Sequence, residues 1–162
     1  NFTGLKLNYD IFQDNLIYLD ESPDGSMKVL LLNKNQVEKF GIEDHSFITL
    51  RPSMVKNITE SQYFEVLYQG EISLFNMWTK AFEAVTTQEF PSGRFMDLKV
   101  TRYLLKNNEL QKVNNRYALL KLCEDRKEEI KKYLRKNRII VRKGRDEQLA
   151  GLIEYYNSLI TD

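Results

Sequence analysis

Tyr63-Phe64-Glu65-Val66-Leu67-Tyr68-Gln69-Gly70, followed by Ile72 to Trp78, is the stretch that decides the fold. Aromatic and β-branched residues fill both arms, and Gln69-Gly70 separates them, the pattern of a β-hairpin. Period-two alternation predicts Phe64, Val66 and Tyr68 on one face, with Ile72, Leu74 and Asn76 facing across from them. The segment from Trp78 to Val85 either continues the sheet or forms a short helix. Gln88 to Asp97 reads as a loop centred on Pro91-Ser92-Gly93. A second hairpin follows, with Val100 to Leu105 and Leu110 to Val113 joined at Asn107-Asn108. Asparagine tolerates the left-handed conformation such a turn demands.

Upstream the theme repeats. Leu5, Leu7, Tyr9 and Ile11 alternate with polar residues, Gln13-Asp14-Asn15 is turn chemistry, and Leu16 to Leu19 is a second apolar run. Ser22-Pro23-Asp24-Gly25 turns the chain into a third strand at Met27, Val29 and Leu31. Phe47 to Leu50 is a further short strand, stopped by Pro52.

After Asn114 the apolar spacing becomes that of helices. Asn115 is placed to cap a short helix carrying Tyr117, Leu119, Leu120 and Cys123. Asp125 and Glu128 have capping-box spacing for a helix that buries Ile130, Tyr133 and Leu134 and ends near Asn137. Ile139-Ile140-Val141 is expected to be extended. Gly144 breaks the chain and Asp146 is expected to cap the last helix, whose apolar stripe is Leu149, Leu152, Ile153, Tyr156, Leu159 and Ile160. The fold class is therefore α+β: an antiparallel meander over residues 1–113 and a small helical unit over 114–162 packed against it. The two are expected to form one cooperative body.

Composition fits a folded chain. At 162 residues it is 42% apolar and 12% aromatic, with net charge +1 and three prolines. A chain of this size buries roughly 70% of the surface it exposes when unfolded, and needs no staples. No apolar run approaches the roughly 20 residues that span a bilayer. The single cysteine, Cys123, excludes an internal disulfide and a zinc ribbon.

Four stretches, in order, resemble a group of uncharacterised exported proteins of Gram-negative bacteria. They are Leu7 to Leu16 (LNYDIFQDNL), Tyr63 to Gly70 with Leu74, Tyr103 to Leu110 (YLLKNNEL), and a last block. That block runs from Leu119-Leu120-Lys121-Leu122 through Asp125, Lys127, Ile130, Tyr133 and Asn137 to Leu152–Leu159. The resemblance covers most of the chain and implies a cell-envelope or secreted setting, in the periplasm or on the outer surface, and no particular activity. Such proteins usually carry a further glycine-rich stretch before the tyrosine-aspartate strand. This sequence lacks it, and the completeness of the sheet's amino-terminal edge stays open. Asn1 in place of methionine reads as a trimmed chain, a signal peptide being expected to have been removed.

Candidate chemistry is sparse. His45 is the only histidine, and acid–base work needs a partner in space; no GxSxG elbow surrounds any serine. The plain alternative is a surface or turn histidine before a strand. Glu124 and Asp125 raise rather than lower the pKa expected of Cys123, so a packed thiol is expected. Asp20, Glu21 and Asp24 lack calcium-loop spacing, and there is no P-loop or GxGxxG. No metal, cofactor or catalytic residue is assigned. Asn1-Phe2-Thr3 and Asn57-Ile58-Thr59 match the glycosylation sequon, which matters only in a eukaryotic secretory protein. Glu128–Glu129 and Asp146–Glu147 suit helix starts.

Charge is the one anomaly. Arg126 to Arg145 holds ten Lys or Arg against Glu128 and Glu129, a net of +8. The remainder, with fourteen bases and twenty-one acids, is −7. Lys131, Lys132, Arg135 and Lys136 are the candidate binding residues, and the partners expected are another envelope protein or an anionic surface. Nucleic acid is disfavoured because no stacking aromatics are interleaved. The plain alternative is a solvated helix face whose lysines pair in part with the acidic sheet. Three functions stand. One is a non-enzymatic binding or structural module, using its sheet or its basic segment. The others are a carrier of an apolar ligand in a curved sheet and a small hydrolase with a scattered site.

Overall fold

Alternation of apolar and polar residues builds eleven strands among the described residues of a computed structural model, which are 3–22, 24–85 and 90–161. The first three, β1 (Leu7–Asp10), β2 (Asn15–Glu21) and β3 (Met27–Leu31), form an antiparallel meander. Its first turn is held by Asp10, whose carboxylate accepts from the backbone N–H of Phe12 and Gln13. The second is closed by Asp24 on Ser26, with Gly25 at φ 79°; Pro23 lies outside the described residues.

The main sheet has six strands in the order β11-β10-β7-β6-β5-β4, every pair antiparallel. These are β4 (Lys39–Ile42), β5 (His45–Leu50), β6 (Gln62–Tyr68), β7 (Ser73–Thr79), β10 (Lys99–Lys106) and β11 (Glu109–Lys112). A two-stranded ribbon, β8 (Phe82–Glu83) with β9 (Arg94–Phe95), links β7 to β10. Of the segment from Trp78 to Val85, Trp78–Thr79 ends β7 and Phe82–Glu83 is β8, joined by irregular residues, and none of it is helix. Within the expected 88–97 loop, residues 88 and 89 lie outside the described residues, and Arg94–Phe95 is strand.

The central hairpin departs from strict alternation. Val66 pairs with Phe75 but Tyr68 pairs with Leu74, so a bulge falls between Val66 and Tyr68. One extra residue reverses the facing of everything beyond it. Tyr68 therefore joins Ile72 and Leu74 on one face, while Phe64 and Val66 pack with Phe75 on the other.

Each face has its own cover. Residues 51–60 fold over Phe64, Phe75 and Leu110, inserting Val55 and Ile58. The opposite face is shared. At one end the small sheet contributes Tyr9 and Leu16 to a cluster with Phe40, Phe47 and Tyr63; Phe40 stacks on Phe47 at 4.9 Å. At the other end lie α1 (Arg116–Leu122), α2 (Lys127–Lys136) and α3 (Asp146–Thr161). Leu149, Leu152, Ile153 and Tyr156 of α3 pack with Ile72, Leu74 and Leu104. Asn157 grips the backbone of the bend just before β7, accepting from Ile72 N–H and donating to Ile72 C=O, both at 2.9 Å.

Asn115 caps α1, accepting from Ala118 N–H at 2.9 Å. α1 carries Tyr117 on its outer side, 79% exposed. Three local expectations fail. Asp125 lies in a 3₁₀ turn and does not cap α2, whose N-cap position is Arg126. Asp146 is the first residue of α3, and its carboxylate bonds to the sheet. Ile139 to Val141 forms no strand; Ile139 and Val141 anchor a turn in the helical core. In each of the two aspartates a tertiary partner outcompetes the cap, because a part-buried cation or amide holds a carboxylate more strongly than an exposed N–H does.

Candidate functional site

Cross-strand register lays five residues in one row on the shared face: Phe40, Phe47, Glu65, Asn76 and Arg102. Glu65 stands where the small sheet's cover ends and the helical cover begins. It is 6% exposed, so its carboxylate needs partners. Oε2 accepts from Trp78 Nε1 at 2.8 Å and from Asn76 Nδ2 at 2.9 Å. Oε1 meets His45 Nδ1 at 2.6 Å. Asn76 Nδ2 also donates to Asp146 Oδ2, and Arg102 clasps Asp146 Oδ1 through Nε and a terminal nitrogen at 2.9 and 2.7 Å. The chain of contacts runs from His45 to the start of α3.

A cleft of about 210 Å³ opens beside this network, between β1 and the β4–β5 hairpin. Leu7, Tyr9, Ile11, Ile42, Phe47 and Trp78 make its apolar lining. Asn8, Glu43 and His45 are its polar members. With Nδ1 donating to Glu65, the neutral imidazole keeps Nε2 as an acceptor. Tyr9 carries a hydroxyl, and that hydroxyl donates to Asp14 at 2.6 Å; burial first, then this bond, raises its pKa above the ordinary tyrosine value.

His45 is thus more than a turn residue: it has the carboxylate partner that acid–base work requires. Cys123 is fully buried in the helical core, and burial pushes its thiol up to about 12, Lys106 opposing and Asp125 adding. A thiolate nucleophile is not available there. Among the described residues no group of three metal-ligating side chains occurs; Asp24 closes its own turn, and Glu21 pairs with Lys6.

The basic segment lies apart from the cleft and shares no lining residue with it. On α2, Ile130 and Leu134 face the core, while Lys131, Lys132, Arg135 and Lys136 fall on the outer side. Lys131 bonds to Glu128 at 2.7 Å and Arg126 reaches Glu129 at 3.9 Å. The other eight bases of 126–145, including Lys132, Arg135 and Lys136, are exposed and make no ion pair among the described residues. Among the described residues, none of these bases pairs with an acid of the sheet. The ion pairs across the seam run the other way, from Arg102 and Lys106 on the sheet to Asp146 and Asp125 on the helical unit.

Sequence reasoning missed Glu65, Asn76 and Trp78 as a group. A signal existed: Glu65 and Asn76 interrupt otherwise apolar strands, and a polar residue at a buried strand position needs a partner. No protein-family model, curated protein or solved structure matches the chain.

Proposed function

We propose that this chain is a non-enzymatic binding module of a bacterial cell-envelope or secreted protein. The outer face of α2, with the turn after it, is the surface that meets an anionic lipid layer. The observation that carries this reading is the set of eight exposed bases without ion pairs. Within that set Ile140 is 64% exposed, an apolar knob between Arg138 and Arg142. Bases near an anionic membrane contribute about 1 kcal/mol each, and a flanking apolar side chain adds insertion. The envelope setting rests on the sequence resemblance.

The only aromatic residue of α2, Tyr133, stacks on Tyr155 with centroids 4.7 Å apart, so it offers no platform for a nucleic-acid base. Hydrolysis is less well supported, because Glu65 is tied to Trp78 and Asn76 as well as to His45, and the cleft's hydroxyl is bound to Asp14. A lipid-sized cargo is poorly matched to a cleft of about 210 Å³ beside filled cores.

Vesicle co-sedimentation tests the proposal. Retention is expected on anionic vesicles, not on neutral ones, and should fall steeply between about 50 and 200 mM salt as screening shortens. Equal retention on neutral vesicles, or submicromolar binding to DNA or RNA with none to vesicles, would overturn it.

A further inference from the structure

We propose that the cleft between β1 and the β4–β5 hairpin is a binding site for a small organic cation with an apolar body, such as an aryl-alkyl ammonium. Its volume of about 210 Å³ exceeds the roughly 150 Å³ that admits benzene in an engineered protein cavity, so a single ring with a short tail fits. Tyr9, Phe47 and Trp78 bring aromatic rings to the lining, and Glu43 is its only residue with a fixed charge. No lysine or arginine lines the space.

The hydrogen-bonding inventory points the same way. Glu43 accepts only. His45 is held by Glu65 through Nδ1, and in the neutral imidazole its Nε2 accepts as well. Asn8 serves either role. A ligand that donates N–H bonds and carries positive charge satisfies all three, while aromatic walls attract an ammonium through their negative faces. A carboxylate or phosphate of the same size would face Glu43 with no cation to compensate.

Trp78 and His45 are the only tryptophan and the only histidine of the chain, so fluorescence and the imidazole proton resonances both report from this cleft. Three probes of matched shape are titrated into the full chain: phenethylammonium, benzyl alcohol and phenylacetate. Phenethylammonium should give saturable changes in both signals and bind about fivefold more tightly than benzyl alcohol, phenylacetate more weakly than either. Glu43→Gln should weaken phenethylammonium about threefold and leave benzyl alcohol unchanged, without altering the melting temperature, because Glu43 is exposed and makes no ion pair among the described residues. Phenylacetate binding as tightly as phenethylammonium would overturn the assignment. So would an unaltered affinity in Glu43→Gln, or the absence of any saturable signal.

Discussion

The charges at the seam between sheet and helices and the charges on the outer face of α2 stand in opposite surroundings. At the seam, Arg102, Asp146, Lys106, Asp125 and Glu65 each have partners within 3.0 Å, and several are part-buried. On α2, Lys132, Arg135 and Lys136 stand in solvent and make no ion pair among the described residues. Removing a partnered, desolvated group strands its neighbours and lowers stability. Removing an exposed base leaves the fold alone. The contrast fits the proposed division, with the seam serving architecture and α2 serving recognition.

The severest break is to remove the seam altogether. A fragment of residues 114–162 should give only weak helical circular dichroism and no sharp melt, because short helices are marginal without a surface to bury on. A cooperative melt of that fragment would dissolve the distinction between seam and surface. Next, Leu152→Asp places a carboxylate at a position 0% exposed, facing Ile72 and Leu74. Chemical denaturation should show a loss of about 4 kcal/mol or an unfolded chain. Glu65→Leu should cost about 3 kcal/mol, since Trp78, Asn76 and His45 lose their shared acceptor. A denaturant midpoint unchanged by that substitution would mean the buried row is dispensable.

A smaller effect sharpens the comparison through pH. Tyr156 donates to both oxygens of Asp125 at 2.7 and 2.8 Å, and Lys106 donates to Asp125 at 3.0 Å. Burial opposes ionisation of Asp125, yet these bonds outweigh it and hold its pKa below the usual aspartate value. A carboxyl depressed in the folded state stabilises above its unfolded pKa and loses that contribution as pH falls through the folded one. Tyr156→Phe should therefore reduce stability modestly at neutral pH, and the deficit should shrink as pH drops below about 4. Melting curves of the two proteins at several acidic pH values would converge.

Much of the scaffold was legible from local chemistry. The hairpin at Asn107-Asn108 follows from two asparagines at φ 53° and 59°, and Asn115 caps α1 as its position implies. The apolar stripe of α3 is buried through Tyr156. What stayed hidden depends on distant pairing. β4 escaped notice because Lys39-Phe40-Gly41-Ile42 is four residues with a central glycine, and only its pairing with β5 makes it a strand. Asp125 and Asp146 follow helix-start rules, and their seam partners lie 19 and 44 positions away. His45 finds Glu65 across 20 positions through a register that no local window contains. The bases of α2 were visible as a run, but only the fold shows that, among the described residues, no acid of the sheet pairs with them.

The most direct test joins both halves of the contrast in one protein. Lys132→Glu, Arg135→Glu and Lys136→Glu combined should leave the stability within about 0.5 kcal/mol per site, as exposed substitutions do. The same protein should lose co-sedimentation with anionic vesicles at low salt. Retained binding with an unchanged melt would contradict the role given to α2, and a collapse of the melt would contradict the separation of recognition from architecture.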